Sequence, residues 1–303
     1  MRVMVIGGTG HIGGFLVPQL VELGHEVLVA TRGRRPRPAG KAWEKVKLLK
    51  VPETDRPAFL AEQGCDALID IVQAQATAVY EALRDRCRHF IWCGSLWMLG
   101  PPAVVPTPEV RFGPALVEAY QRRMDELVEL QRCARRDGVA FTAILPPNIC
   151  GPGKVPLEMS GGRDIEVHRA HARGEPVTLF RGCNTLIGPC DAEDVAQGFW
   201  RAVESPDAAA GELFNVGSAY ALTATQMVEL FSEIHGVAIP IRRVSFEQFT
   251  REVMPDVGAN NHFRFHMCPD ISKARRELGY QPKYTPESTM ARAVEWMRQQ
   301  RLL

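Results

Sequence analysis

The sequence has no apolar run approaching the ~18 residues that a membrane-crossing helix needs, so no helical span is expected. It also has almost no net charge. Lys and Arg number 36 against 35 Asp and Glu, which leaves +1. That balance gives no global field to draw the chain to nucleic acid or to a lipid surface. None of the eight cysteines is spaced as C-x-x-C. Cys93 and Cys150 sit in apolar runs, and the set reads as reduced thiols rather than a disulfide frame or a zinc site. Strand-like alternation starts at residue 2 or 3 with no leader pattern before it, so a cytoplasmic location is expected. There is no internal repeat and no low-complexity tract. His168-x-x-His171 has helical spacing, and His262-Phe-Arg-Phe-His266 would place two imidazoles on one side of a strand. Neither pair has a clear carboxylate or cysteine to complete a tetrahedral set, so no metal is expected.

What is present begins with glycine. Val3, Val5 and Ile6 run directly into Gly7-Gly-Thr9-Gly10-His11-Ile12-Gly13, then into an apolar helical pattern from Phe15 to Leu23 and a second strand from Val27. A strand, a Gly-x-x-Gly-x-x-Gly turn and a helix build a cradle for pyrophosphate. The first glycine allows the tight turn, the second lets the backbone approach the phosphates, and the third allows close packing. The helix start offers unpaired N–H groups and partial positive charge.

Strand patterns at 2–6, 27–31, 46–51, 67–72, 89–94 and 139–146 alternate with helical ones at 11–23, 56–63, 74–86 and 115–137. Such alternation predicts an α/β fold, a Rossmann-type doubly wound parallel sheet. After Leu145-Pro-Pro-Asn-Ile-Cys-Gly-Pro-Gly153 the texture changes to dense Pro and Gly. We expect a core over about 1–150, rejoined by elements near 186–217, and a smaller C-terminal substrate-binding lobe from 151–185 and 218–303. Thr223 to His235 reads as a capped helix closed by Gly236.

Several motifs then follow in a fixed order. They are the glycine turn, Cys87-Arg-His-Phe-Ile-Trp-Cys-Gly-Ser95 with Gly100, Tyr120, Pro147-x-x-x-Gly151-Pro152, Asp191-x-x-Asp194-Val-Ala196 and Phe214-Asn-Val-Gly217. This order resembles the extended short-chain dehydrogenase/reductase superfamily, in its NAD(P)-dependent epimerase/dehydratase group, from residue 1 to about 300. Thr31-Arg32-Gly33 is most similar to an atypical branch that includes the chloroplast stem-loop-binding proteins.

The resemblance implies roles for particular residues. Members that prefer NAD end the second strand with an acid; here Thr31 stands there, followed by Arg32 with Arg34 and Arg35 close behind. A carboxylate repels a 2′-phosphate, whereas a guanidinium pairs with it bidentately. NADP is therefore the expected cofactor, with NAD as the alternative. Gly7, Thr9, Gly10, His11, Ile12, Gly13, Thr31, Arg32 and Arg35 are its expected contacts, Arg32 foremost. Pro52 occupies the place where the family often has an aspartate near the adenine, with Asp55 three residues on.

For catalysis the resemblance implies Ser95, to hydrogen-bond the reacting oxygen, and Tyr120, to pass a proton as hydride moves. The family's Lys four residues after the Tyr is Met124 here, and none of the five tyrosines has Lys at that spacing. A thioether supplies no positive charge to help Tyr120 act as a base, although Arg123 at i+3 can partly replace it. On the substrate side the resemblance implies Asn148. Sugar-nucleotide epimerases hold a diphosphate with an arginine whose place is Ile187 here, so a small polar, sugar-like substrate is expected in preference to a nucleotide sugar. His262 and Arg264 are expected to meet it from a pocket loop over 255–268.

Residues 32–50 hold eight basic side chains and one acid, Glu44. With the missing Lys, that run keeps open a non-catalytic, nucleotide-binding or RNA-binding alternative. Neutral net charge and the lone aromatic Trp43 count against nucleic acid. Family members often dimerise through helices matching 74–86 and 115–137, so a homodimer is open too.

Overall fold

The computed structural model describes residues 1–52 and 54–303. The first half alternates as read: β1 (Arg2–Ile6), α1 (Gly13–Glu22), β2 (Glu26–Thr31), α2 (Lys41–Glu44), β3 (Lys47–Lys50), α3 (Arg56–Gln63), β4 (Ala67–Asp70), α4 (Ala76–Leu83), β5 (His89–Cys93), α5 (Glu118–Asp137) and β6 (Ala140–Leu145). The second half holds β7 (Asn148–Cys150), α6 (Ile165–Ala172), β8 (Val177–Phe180), β9 (Leu186–Ile187), β10 (Pro189–Asp191), α7 (Ala192–Glu204), α8 (Pro206–Ala209) and β11 (Leu213–Asn215). It closes with β12 (Leu222–Thr223), α9 (Ala224–His235), β13 (Ile241–Val244), α10 (Phe246–Gln248), α11 (Val257–Arg264), α12 (Ser272–Leu278) and α13 (Pro286–Gln299).

Seven strands form one sheet in the order β11-β6-β5-β4-β1-β2-β3, all parallel, so the fold is a doubly wound Rossmann sheet. Its strands are near-continuous apolar runs because helices cover both faces. One buried cluster, with Leu68, Tyr80, Phe90, Trp92 and Leu127, fills the side under α3, α4 and α5. The other, with Val5, Leu16, Val29, Phe199 and Tyr280, lies under α1, α7 and α12. The strand order reverses between β1 and β4, which opens a crevice at their carboxyl ends, where such sheets bind ligands.

A third cluster, with Leu179, Phe231, Phe249, Phe263 and Met290, forms the core of the remaining lobe around the parallel pair β8–β13 and the helices α9 and α13. Helix α9 begins with a capping box, Thr223 and Gln226 each bonding the other's backbone, and ends at Gly236 in the left-handed region. Two motifs tie this lobe to the sheet. Asp194 accepts from the Lys283 and Tyr284 amides at 2.7 and 3.0 Å. Buried Asp191 pairs with Arg292 at 3.2 Å. Among the described residues no helix is long and apolar enough to cross a membrane. All eight cysteines are free and buried.

Candidate functional site

Two adjoining cavities occupy the crevice. The first, of about 370 Å³, is lined by Gly7, Thr9 and Gly10 of the glycine turn, by Thr31, Arg32, Arg34 and Arg35 beyond β2, and by Val51, Arg56 and Val72. Gly7 has φ +88°, and a Cβ there would lie 2.6 Å from Val72. A Cβ on Gly13 would lie 2.2 Å from the Gly8 carbonyl oxygen. The third glycine thus lets the helix start close onto the turn itself, which is more specific than packing on the sheet. The turn uses the Gly10 and Gly14 amides internally, on the Gly7 and Gly10 carbonyls at 2.9 Å each, while those of His11 and Ile12 have no backbone partner among the described residues. Free amides at the start of a ten-residue helix, beside a Cβ-free turn, fit a dinucleotide pyrophosphate.

The arginines divide their work. Arg35 donates to the Thr9 carbonyl at 3.2 Å and braces the turn. Thr31 accepts from the Gly33 amide at 3.2 Å, so its hydroxyl closes a turn. Arg32 stays exposed at the cavity wall. Asp55 begins α3 in the left-handed region and does not line the cavity. His11 lines neither cavity. It wedges against the 151–153 loop, where a Cβ on Gly153 would touch its ring at 3.3 Å, and burial with the Arg163 charge lowers its pKa to about 4. Its side chain thus packs against that loop, and what it offers the glycine-turn cavity is its backbone amide.

The second cavity, of about 720 Å³, shares Val72 with the first. It brings together Ser95, Tyr120 and Asn148, as expected, with Ile12, Gln73, Cys93, Trp97, Arg123, Lys154, Arg163 and His262. Ser95 follows β5 and caps the 3-10 turn Leu96–Leu99, accepting from the Trp97 amide at 3.3 Å. Tyr120 lies in the first turn of α5, its ring stacked on Trp97 with centroids 6.3 Å apart. The same helical turn sends Met124 into the core and Arg123 to the cavity, its guanidinium carbon 5.6 Å from the Tyr120 ring centroid. Buried Cys93 is no nucleophile here: burial, then the nearby Asp70, push its thiol up to about 12.

Asp70 at the end of β4 lies beneath the shared wall and holds the backbone of Val72 and Gln73. Its Oδ1 accepts from the Val72 and Gln73 amides at 3.0 and 2.8 Å, and its Oδ2 is buried without a partner. Complete burial raises its pKa to about 7.

Residues 255–268 differ from the expected extended pocket loop. Asp256 accepts from the Ala259 amide at 2.7 Å and starts helix α11. Helical period, unlike strand period, turns residues two apart to different sides. His262 therefore enters the cavity, 4.9 Å from the Trp97 ring, while Arg264 leaves it and lies against Phe246 and Phe265. Arg264 is corrected from a substrate contact to a surface residue. His266 Nδ1 accepts from the Leu186 amide at 3.0 Å. The signal that could have shown this helix is Asp256 after Pro255, a helix-capping residue.

Sequence reasoning missed Lys154 and Arg163, which reach the cavity from the loop after β7. Buried Glu158 organises that loop, accepting from the Ser160 amide, the Ser160 hydroxyl at 2.8 Å and the Gly162 amide at 3.0 Å. His168 and His171 brace it from α6 through Pro156 O and the Met159 amide, at 3.1 and 3.4 Å. Burial holds both imidazoles near a pKa of 4. Ile187 is a buried β9 residue paired with Leu222 and lies outside the cavity.

Residues 3–217 match the model of the NAD dependent epimerase/dehydratase family. The chain is 24% identical over 302 residues to the chloroplast stem-loop binding protein of 41 kDa b of Arabidopsis thaliana, covering 93% of this chain and 75% of that one. It is 25% identical over 313 residues to the dTDP-6-deoxy-L-talose 4-dehydrogenase (NAD(P)(+)) of Kitasatospora kifunensis, covering 94% and 92%. The solved UDP-glucose 4-epimerase of Thermotoga maritima with UDP-glucose superposes with a TM-score of 0.74 at 20% identity over 99% of both chains, a likeness of fold. On its glycine turn, its sheet order and the family match over 3–217, the chain belongs to the NAD dependent epimerase/dehydratase family.

Proposed function

We propose that this protein is an NADP(H)-dependent oxidoreductase or epimerase/dehydratase acting on a small polar hydroxyl or carbonyl compound. The observation that carries it is one cavity holding Ser95, Tyr120, Arg123 and Asn148 that shares its Val72 wall with the glycine-turn cavity. A bound nicotinamide supplies or accepts the hydride. Ser95 and Tyr120 then serve the substrate oxygen: Ser95 donates a hydrogen bond to it, and Tyr120 gives it a proton on reduction and takes one back on oxidation. Arg123 brings a guanidinium to 5.6 Å from the Tyr120 ring centroid, one position before the place of the missing helix Lys. Trp97 holds the Tyr120 ring in place.

Arg32 favours NADPH, because an exposed guanidinium at the wall of the adenosine-side cavity suits a 2′-phosphate and no carboxylate lines that cavity among the described residues. A substrate smaller than a nucleotide sugar is supported by Ile187, which leaves the place of a diphosphate-holding arginine apolar and buried. A second reading, a nucleotide-regulated RNA-binding protein, is favoured by the name of the Arabidopsis relative and by the basic 32–50 run. Arg35 and Arg37 of that run, however, are bonded to backbone carbonyls.

The test is a parallel titration with NADPH and NADH followed by nicotinamide fluorescence, then isotope exchange at the substrate carbon, which detects transient oxidation with no net absorbance change. Selective NADPH binding and exchange lost in Ser95→Ala and Tyr120→Phe are expected. Arg123→Met is expected to lower the exchange rate with nucleotide affinity unchanged, and Arg123→Lys to restore part of it. Binding of neither nucleotide, with salt-dependent RNA retention, overturns the reading in favour of the second.

A further inference from the structure

The wall of the reacting cavity is one-sided in charge. Arg123, Lys154 and Arg163 line it, and no Asp or Glu does so among the described residues. None of the three forms an ion pair with a described acid, whereas Arg122 beside them reaches Glu118 and Arg169 reaches Glu166. Arg163 is held rigidly by donating to Ile149 O and Val155 O at 2.7 and 3.0 Å, which leaves its positive charge uncompensated. The groups around it register that charge. Partial burial, then Arg163, lower the pKa of Lys154, and burial, then Arg163, bring His262 to about 4. Neutral His262 and the stacked Trp97 leave those cations as the charged part of the wall.

A second observation points into the same space. Asn148 is 5% exposed and lines the cavity, and its Nδ2 has no partner. A buried amide N–H without an acceptor costs stability unless a ligand supplies one. The glycine turn is a separate anion site, backed by Arg35 in the other cavity.

Resting on the reading of the site above, we infer that the substrate itself carries a small anionic group, a phosphate monoester or a carboxylate, seated against Arg163 and Lys154 and within reach of Asn148 Nδ2. Its hydroxyl or carbonyl end then faces Ser95 and Tyr120. Glu158, His168 and His171 act as positioning residues for this subsite, because they fix the loop that carries both cations. The Gly161-Gly162-Arg163 insert thereby acquires a substrate role.

The experiment is calorimetric titration of the full chain, with and without NADPH, using four probes: glucose 6-phosphate, gluconate, glucose and UDP-glucose. One of the two small anions should bind, with affinity falling as salt rises, and glucose should not. Which of the two binds tells phosphate from carboxylate. Lys154→Gln, on an exposed side chain, should weaken that binding about tenfold and leave NADPH affinity within about twofold. Arg163→Gln should weaken it further, and Arg163→Lys should recover part of it, which a purely structural arginine would not allow. Glucose binding as well as the anions overturns the inference, as does tighter binding of UDP-glucose. So does a Lys154→Gln variant that loses NADPH instead of the anion, since the cations would then belong to the cofactor. Loss of the parent reading looks different: NADPH fails to bind, while anion binding persists and still depends on Arg163.

Discussion

The two cavities share a wall but are built in opposite ways. The glycine-turn cavity comes mostly from two short stretches, 6–10 and 30–35, a tight backbone turn faced by arginines. The reacting cavity collects single side chains from β5, α5, β7, the 153–163 loop and α11. Its chemistry resides in which side chain each element happens to turn inward. The first kind of site depends most on its glycines, where a Cβ would meet backbone or Val72. In the second, neighbouring helix positions part company: Arg123 faces the cavity where Met124 faces the core.

Substitutions can break that contrast. The largest effect is expected at Gly13, where an alanine Cβ would meet the Gly8 carbonyl at 2.2 Å. Gly13→Ala should abolish nucleotide binding measured by fluorescence, and retained binding would show that the turn adapts. Tyr120→Phe should lower turnover by about 10²-fold or more while nucleotide affinity stays within about twofold. An equal loss in both would mean that the cavities are not separable.

Asp70 sits at the seam. Its folded pKa of about 7 lies above its ordinary 3.8, so the folded state retains a proton that the unfolded chain has released, and stability falls as pH rises through that window. Asp70→Asn keeps the Oδ1 acceptor for the Val72 and Gln73 amides and removes the charge. Urea unfolding should show a gain on the order of 2 kcal/mol at pH 8 that fades toward pH 4, where the carboxyl is protonated in both states. An equal gain at both pH values would assign the effect to packing. The smallest effect is expected at Arg32: Arg32→Ala should weaken NADPH about tenfold and leave NADH unchanged, read from paired titrations.

The same contrast explains what could be read in advance. The sheet strands, the capped helix at Thr223 and the glycine turn are legible because local patterning and backbone sterics specify them. Ser95, Tyr120 and Asn148 were singled out through motif order, and they share one cavity. Lys154 and Arg163 were not found, because their inward placement depends on Glu158, His168 and His171 folding a loop with no periodicity. Arg264 was misplaced for a related reason: alternating His-Phe-Arg-Phe-His mimics a strand, and the Asp256 cap that makes it a helix lies six residues upstream of His262.

Strand β3 lies at the border of the sheet, with one side of its backbone unpaired. Its sequence is Lys-Leu-Leu-Lys, and both lysines are exposed. An open strand edge is a template for a second chain, and flanking lysines discourage that approach through repulsion and desolvation. Lys47 and Lys50 therefore make this edge a poor template for pairing with a second copy. Replacing both with threonine would be felt in the concentration at which the protein stays in solution, before it was felt in the fold.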